Sequence, residues 1–135
     1  MEFDTRIAVV IREDLKDWQK LNVTAFLMGG IAGIPGLLGE PYVDGDGRTY
    51  LPLLRQPVRV YGVPPEGIHR VYERALEREV DLSLYTEELF STSGDEENRA
   101  AVRGVRGADL NLVGLGMYGP KNRIDKVLRG LKLHP

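Results

Sequence analysis

The chain contains no cysteine, which excludes a disulfide framework, a thiolate nucleophile and sulfur-ligated zinc or iron–sulfur sites. Histidine is almost as scarce. His69 and His134 are the only two, too few for a histidine-rich metal site and a poor basis for a Ser-His-Asp triad. Both are expected to be solvated, His69 on the polar face of its helix and His134 as the penultimate residue. Long apolar runs are absent as well. A bilayer span needs roughly 20 such residues, and the opening MEFDTRIAVVIRED is acidic before a short apolar run, unlike a signal peptide. The expectation is a cytoplasmic protein without a membrane partner. Charge of one sign is also lacking: the net charge is −2, whereas autonomous nucleic-acid binders carry a basic balance, so nucleic acid is not an expected partner. The local exception runs from Pro120 to Pro135, where five cations (Lys121, Arg123, Lys126, Arg129, Lys132) face Asp125 alone. A solvated helix face with a favourable C-terminal dipole accounts for them.

What is present suits one globular domain over residues 1–135. Apolar residues make up 42% and charged residues 28% of 135, enough apolar surface for a core and too much for a disordered chain. Arg6–Arg12 (RIAVVIR) predicts a central strand covered on both faces. Asp14 or Asp17 then caps a helix with Trp18, Leu21, Ala25 and Met28 on one apolar stripe and Val23, Leu27 and Ile31 on another. Gly29-Gly30 is read as its C-terminus, and the glycines up to Gly39 as a loop. They follow a helix rather than a strand, which argues against a phosphate-binding loop. Asp44-Gly45-Asp46-Gly47 predicts a hairpin turn, and the spaced oxygen ligands and closing glutamate of a calcium loop are missing.

Farther along, Val58–Val63 predicts a second main strand and Pro64-Pro65 opens a helix with Ile68, Val71, Tyr72, Ala75 and Leu76 inward. Leu82–Thr86 predicts a third strand, Glu96–Val102 a short helix, and Asn111–Tyr118 a fourth strand. Gly119-Pro120 then opens a last helix with Ile124, Val127, Leu128 and Leu131 inward. This alternation predicts an α/β fold: a three-layer α-β-α sandwich with a four-stranded, mixed but mostly parallel sheet plus a small hairpin.

Without cysteine and with so little histidine, chemistry falls to carboxylates, lysines and hydroxyls. Ligands of open α/β sheets gather at the carboxyl ends of strands. That rule selects Arg12, Asp14 and Lys20 after the first strand, and Thr86, Glu87, Glu88, Ser91 and Thr92 after the third. After the fourth it selects Tyr118 and Lys121. A lysine facing a glutamate across such a crevice orients a nucleophile and stabilises an oxyanion, or else forms an ordinary ion pair.

Four stretches, RIAVVIREDLKDWQKLNVTAFL, YLPLLRQPV, YTEELFSTSGDEENR and VGLGMYGPKNRIDKVLRGLKLHP, resemble the uncharacterised family called domain of unknown function two thousand. That resemblance implies the fold of the type II peptidyl-tRNA hydrolases, with no activity attached. A more distant likeness to those hydrolases rests on Arg12-Glu13-Asp14-Leu15, Lys20, Gly119-Pro120, Ile124-Asp125-Lys126-Val127 and Leu131-Lys132-Leu133. Thr24 and Leu27 stand where the hydrolases have glutamine and histidine, and Glu87 or Glu88 where they have aspartate. Only Lys20 matches in type.

Two functions follow as expectations. One is a cofactor-free, metal-free hydrolase or transferase acting on an ester or amide, with Lys20, Glu87 and Thr92 catalytic and Arg12, Thr24, Arg55 and Thr86 contacting substrate. The other is a non-catalytic module for a small anion or a protein partner, held by Arg12, Lys20 and Arg55. The resemblance also implies a homodimer.

Overall fold

A computed structural model describes residues 3–135. In chain order the elements are β1 (Thr5–Arg12), α1 (Asp17–Ala32), β2 (Tyr42–Val43), β3 (Thr49–Tyr50), β4 (Val58–Val63), α2 (Ile68–Glu77), β5 (Asp81–Thr86), α3 (Asp95–Arg103), β6 (Leu112–Pro120), α4 (Lys121–Val127) and β7 (Lys132–Leu133). A 3₁₀ segment, Glu87–Ser91, joins β5 to α3. The expected hairpin is β2–β3. Asp44 staples its turn by accepting the Asp46 and Arg48 amides on one carboxylate oxygen and the Tyr50 hydroxyl on the other (2.7 Å).

The main sheet has five strands in the order β5-β6-β1-β4-β7, not four, and it is mostly antiparallel. Only β1 and β4 pair parallel, while β1–β6, β5–β6 and β4–β7 pair antiparallel. The physical reason lies in the connection from β5 to β6. Strands β1, β4 and β5 run the same way, as their alternation with helices predicts. The chain after β5 does not cross back over the sheet, so β6 starts at the pole where β5 ends and slots in reverse between β5 and β1. The two-residue β7, too short for a periodicity signal, adds the fifth strand.

Three layers are present. Val9, Ile11, Val23 and Leu27 form the core on the α1 face, and Ala8, Val10, Val71, Ile124 and Val127 the core facing α2 and α4. In α1 only one of the two predicted stripes points inward. Val23, Leu27 and Ile31 are buried, whereas Trp18 and Leu21 are 57% and 73% exposed. Leu76 likewise faces outward from α2. The helix also runs through Gly29-Gly30 to Ala32 and ends at Gly33. Neither Asp14 nor Asp17 caps it: Lys16 holds the cap position and its amide donates to Gln19 Oε1 (2.9 Å).

Two glycines of β6 set how closely α1 approaches the sheet. A Cβ on Gly114 would sit 2.5 Å from Val23 Cγ1 and 3.2 Å from both Ile11 Cδ1 and Leu27 Cδ1. Substitution Gly114→Ala is therefore expected to destabilise the fold by about 1–3 kcal/mol through overpacking. For a chain of this size that lowers the thermal midpoint by roughly 4 °C per kcal/mol; an unchanged midpoint would mean that α1 shifts freely over β6.

Candidate functional site

The carboxyl pole of β1, β4 and β5 carries a row of linked polar side chains. Glu87, at the first position after β5, accepts from Asn111 Nδ2 (2.8 Å), just before β6. Asn111 Oδ1 in turn accepts from Arg12 Nη1 (3.2 Å), which also reaches Leu112 O (3.3 Å). Arg12 closes the row with a bidentate pair to Asp14, Nε to Oδ1 at 2.9 Å and Nη2 to Oδ2 at 2.7 Å. The Arg12 hydrogen bond holds the Asp14 carboxyl below its ordinary range, with a smaller contribution from the charge of Lys20. Arg12 and Glu87, which the sequence marks separately, thus belong to one network.

Lys20 stands near the Asp14 end of this row but makes its direct contact outside it. Its Nζ lies 3.1 Å from His134 Nε2, and His134 N–H donates to Val60 O (2.9 Å), extending the β7 edge of the sheet. An ammonium has only hydrogens to give, so this contact requires Nε2 to accept and leaves the imidazole proton on Nδ1, which lies 3.0 Å from Pro135 O. His134 is therefore half-buried and engaged, not solvated. The missed signal is topological: no local pattern says that a two-residue strand returns beside β4. His69 differs from expectation too. Its Nε2 is buried with no hydrogen-bond partner among the described residues, and its ring packs edge-on against Tyr72.

Thr24 donates to Lys20 O (2.8 Å), a bond within the helix, and Thr86 is buried where β5 ends. Arg55 braces the glycine loop by donating to Gly36 O (3.1 Å). Lys20, Glu87 and Arg55 thus have separate partners: Lys20 turns toward the β7 edge, Glu87 belongs to the β5 end, and Arg55 holds the inserted loop.

Thr92 lies in different surroundings, an open cleft on the β5 side of α1. Trp18, Asn22 and Phe26 of α1, Tyr85 of β5, Phe90 and Asn98 surround it. The cavity is about 340 Å³ and shares Phe26, Tyr85 and Leu89 with a neighbouring one of about 550 Å³ that Arg99 and Arg103 also line. Three ring contacts build its wall: Trp18–Phe90 at 5.8 Å, Phe26–Tyr85 at 5.9 Å and Tyr85–Phe90 at 5.1 Å. Polar atoms reach the same space. Asn22 Nδ2 donates to the Tyr85 hydroxyl (3.4 Å), and burial pushes that hydroxyl above the usual phenol range. Thr92 Oγ1 contacts both Leu89 O (3.0 Å) and the Asn98 amide. A hydroxyl has one proton, so both contacts are satisfied when the Asn98 NH₂ group faces Thr92. Asp95 neutralises Arg99, whereas Arg103 has no carboxylate within 4 Å among the described residues.

Sequence periodicity assigns Trp18 to the core and gives no role to Asn22, Phe26, Asn98 or Arg103. The available signal was surplus: α1 carries more apolar side chains than one buried face can use. No helix among the described residues is long and apolar enough to cross a membrane.

Residues 5–135 match the model of a family described as protein of unknown function (DUF2000), and the chain belongs to that family. A solved structure of the protein of unknown function Atu0240 from Agrobacterium tumefaciens strain C58 is similar at 44% identity and a TM-score of 0.94. The match covers 99% of this chain and all of that one. No curated protein matches.

The Arg12–Asp14 pair should make stability depend on pH. A carboxyl whose folded pKa is depressed contributes above its ordinary value of 3.8 and loses that contribution as pH falls through the folded value. At pH 7 Asp14→Asn is expected to be less stable than the parent by at most about 1 kcal/mol, because the pair is partly exposed. Urea midpoints of parent and variant should converge below about pH 3. A gap that persists there would assign the loss to packing instead of charge.

Proposed function

We propose that the protein binds a small organic anion with a flat apolar body in the cleft between α1 and α3. The observation that carries this reading is the convergence of Trp18, Phe26, Tyr85 and Phe90 on one open cavity that shares its Phe26, Tyr85 and Leu89 wall with a second, which Arg103 lines. Trp18 and Phe26 are 57% and 60% exposed. Exposed aromatic surface lining a concave site with a few directed polar groups is the usual chemistry of small-molecule recognition. The tilted rings offer faces and edges to a planar ligand, and Arg103 offers a bidentate donor to its carboxylate.

A hydrolytic reading has its own support. Lys20 keeps two ammonium hydrogens after donating to His134, and it stands where the type II peptidyl-tRNA hydrolases that the chain resembles carry their functional lysine. In that reading Lys20 stabilises an oxyanion and Glu87 orients the attacking water, while Thr92, on the aromatic cleft, takes no part. The cysteine-free composition accords with a cytoplasmic protein. Exposed Val43, Leu51 and Leu53 around the hairpin support self-association as a homodimer.

Trp18 is the only tryptophan, so its fluorescence reports on the cleft directly. Titration with benzoate, naphthoate and aliphatic carboxylates is expected to give a saturable change that favours the aromatic acids. Phe26→Ala and Arg103→Ala should each weaken it about tenfold, close to 1.4 kcal/mol. No saturable response from any member would overturn the binding reading. The same preparation is assayed for turnover of aryl esters and diacetyl-lysyl-tRNA, and turnover lost in Lys20→Ala would establish the hydrolytic reading.

A further inference from the structure

At the amino pole, far from the polar row and the aromatic cleft, β1 and β4 frame a smaller and more enclosed cavity of about 210 Å³. Arg6, Arg59 and Lys121 converge on it from three elements, and Phe3, Gln56 and Pro57 complete the wall. The register explains the convergence. Arg59 pairs with Ala8, which lies on the same face of β1 as Arg6, two residues away. Arg6 pairs with Gly119, so the chain leaves β6 beside it. The Lys121 amide then donates to Asp4 O (2.8 Å), which anchors the start of α4 at this edge.

Cations gathered on neighbouring strands repel one another unless an anion lies between them. Asp125 answers only Arg6, accepting from its Nε at 2.7 Å, which leaves the two terminal nitrogens of Arg6 without a hydrogen-bond partner among the described residues. Among the described residues neither Arg59 nor Lys121 has a carboxylate within 4 Å. The neutral groups of the wall are already committed. Thr5 Oγ1 donates to Gln56 Oε1 and Gln56 Nε2 donates to Thr5 O, both at 3.2 Å. What the pocket offers an occupant is therefore positive charge from three directions.

We propose that this pocket binds a phosphoryl group. Two guanidinium forks and an ammonium supply more donors than the two oxygens of a planar carboxylate accept, and a tetrahedral dianion matches them. Size agrees: at about 210 Å³ the cavity lies below the roughly 300 Å³ at which drug-sized pockets begin. That is room for an oxyanion and a short organic stub against Phe3 and Pro57.

The test is calorimetric and thermal titration with inorganic phosphate and with glycerol phosphate, each against chloride and acetate at equal ionic strength. Both phosphates are expected to bind saturably and raise the melting temperature beyond the controls, with the Trp18 spectrum unchanged because the cleft is a separate site. Arg59→Ala should weaken binding at least tenfold, and Arg59→Ala with Lys121→Ala should abolish it; both side chains are exposed, so the fold is retained. Tenfold tighter glycerol phosphate identifies an organic phosphomonoester as the ligand, and equal affinity identifies the free oxyanion. Equal effects of chloride or acetate, or parent-like phosphate binding by the double variant, would overturn the proposal.

Discussion

The close approach of α1 to β6 is the constraint on which the other features of the α1 face depend. Gly114 and Gly116 present bare backbone beneath Val23, Leu27 and Met28, so the helix settles into the sheet with its one buried stripe fully covered. Interiors are packed too densely for such an interface to slide. Once the stripe Val23–Leu27–Ile31 is seated, the rotation of α1 is decided. Lys20 and Thr24 are turned toward β4 and β7, and Trp18, Asn22 and Phe26 toward β5. The helix thereby becomes a partition between two chemical environments, one polar and centred on His134, the other aromatic and centred on Tyr85.

That partition explains why α1 looks too apolar in sequence. A helix covering a sheet needs one inward stripe, yet α1 supplies apolar side chains around most of its circumference. The inward stripe buys stability, and the surplus lines a cleft. Trp18 and Phe26 stay more than half exposed beside Thr92 and Asn98, which accords with the recognition proposed for the cleft. The second pole follows similar logic with charge in place of aromatic surface. Arg6 and Arg59 are set diagonally on one face of neighbouring strands by register, a placement that burial does not require.

Strand direction shaped the polar row. Because β6 begins at the pole where β5 ends, Asn111 stands between Glu87 and Arg12 and links them by hydrogen bonds. In a parallel arrangement Asn111 would have opened its strand at the opposite pole. The same reversal joins a carboxylate and a guanidinium that lie 75 residues apart in sequence into one network, and it leaves Lys20 outside that network with an imidazole partner.

Local physical chemistry determined much of this molecule. The β-branched run of β1, the prolines ahead of α2, the Asp-Gly turn of the hairpin and the inward faces of α2 and α4, Leu76 apart, were legible because period and turn chemistry act over a few residues. The rule that ligands gather at strand ends also marked Arg12 and Glu87, which share one hydrogen-bonded row, whereas Thr92, marked by the same rule, lies in the aromatic cleft. Long-range pairing alone decided the rest: that β6 inserts in reverse, that β7 returns His134 to Lys20, and which stripe of α1 faces inward. Those outcomes depend on contacts between residues far apart in the chain, where the energy of a glycine under a helix or a strand beside an edge exists only after both partners have met.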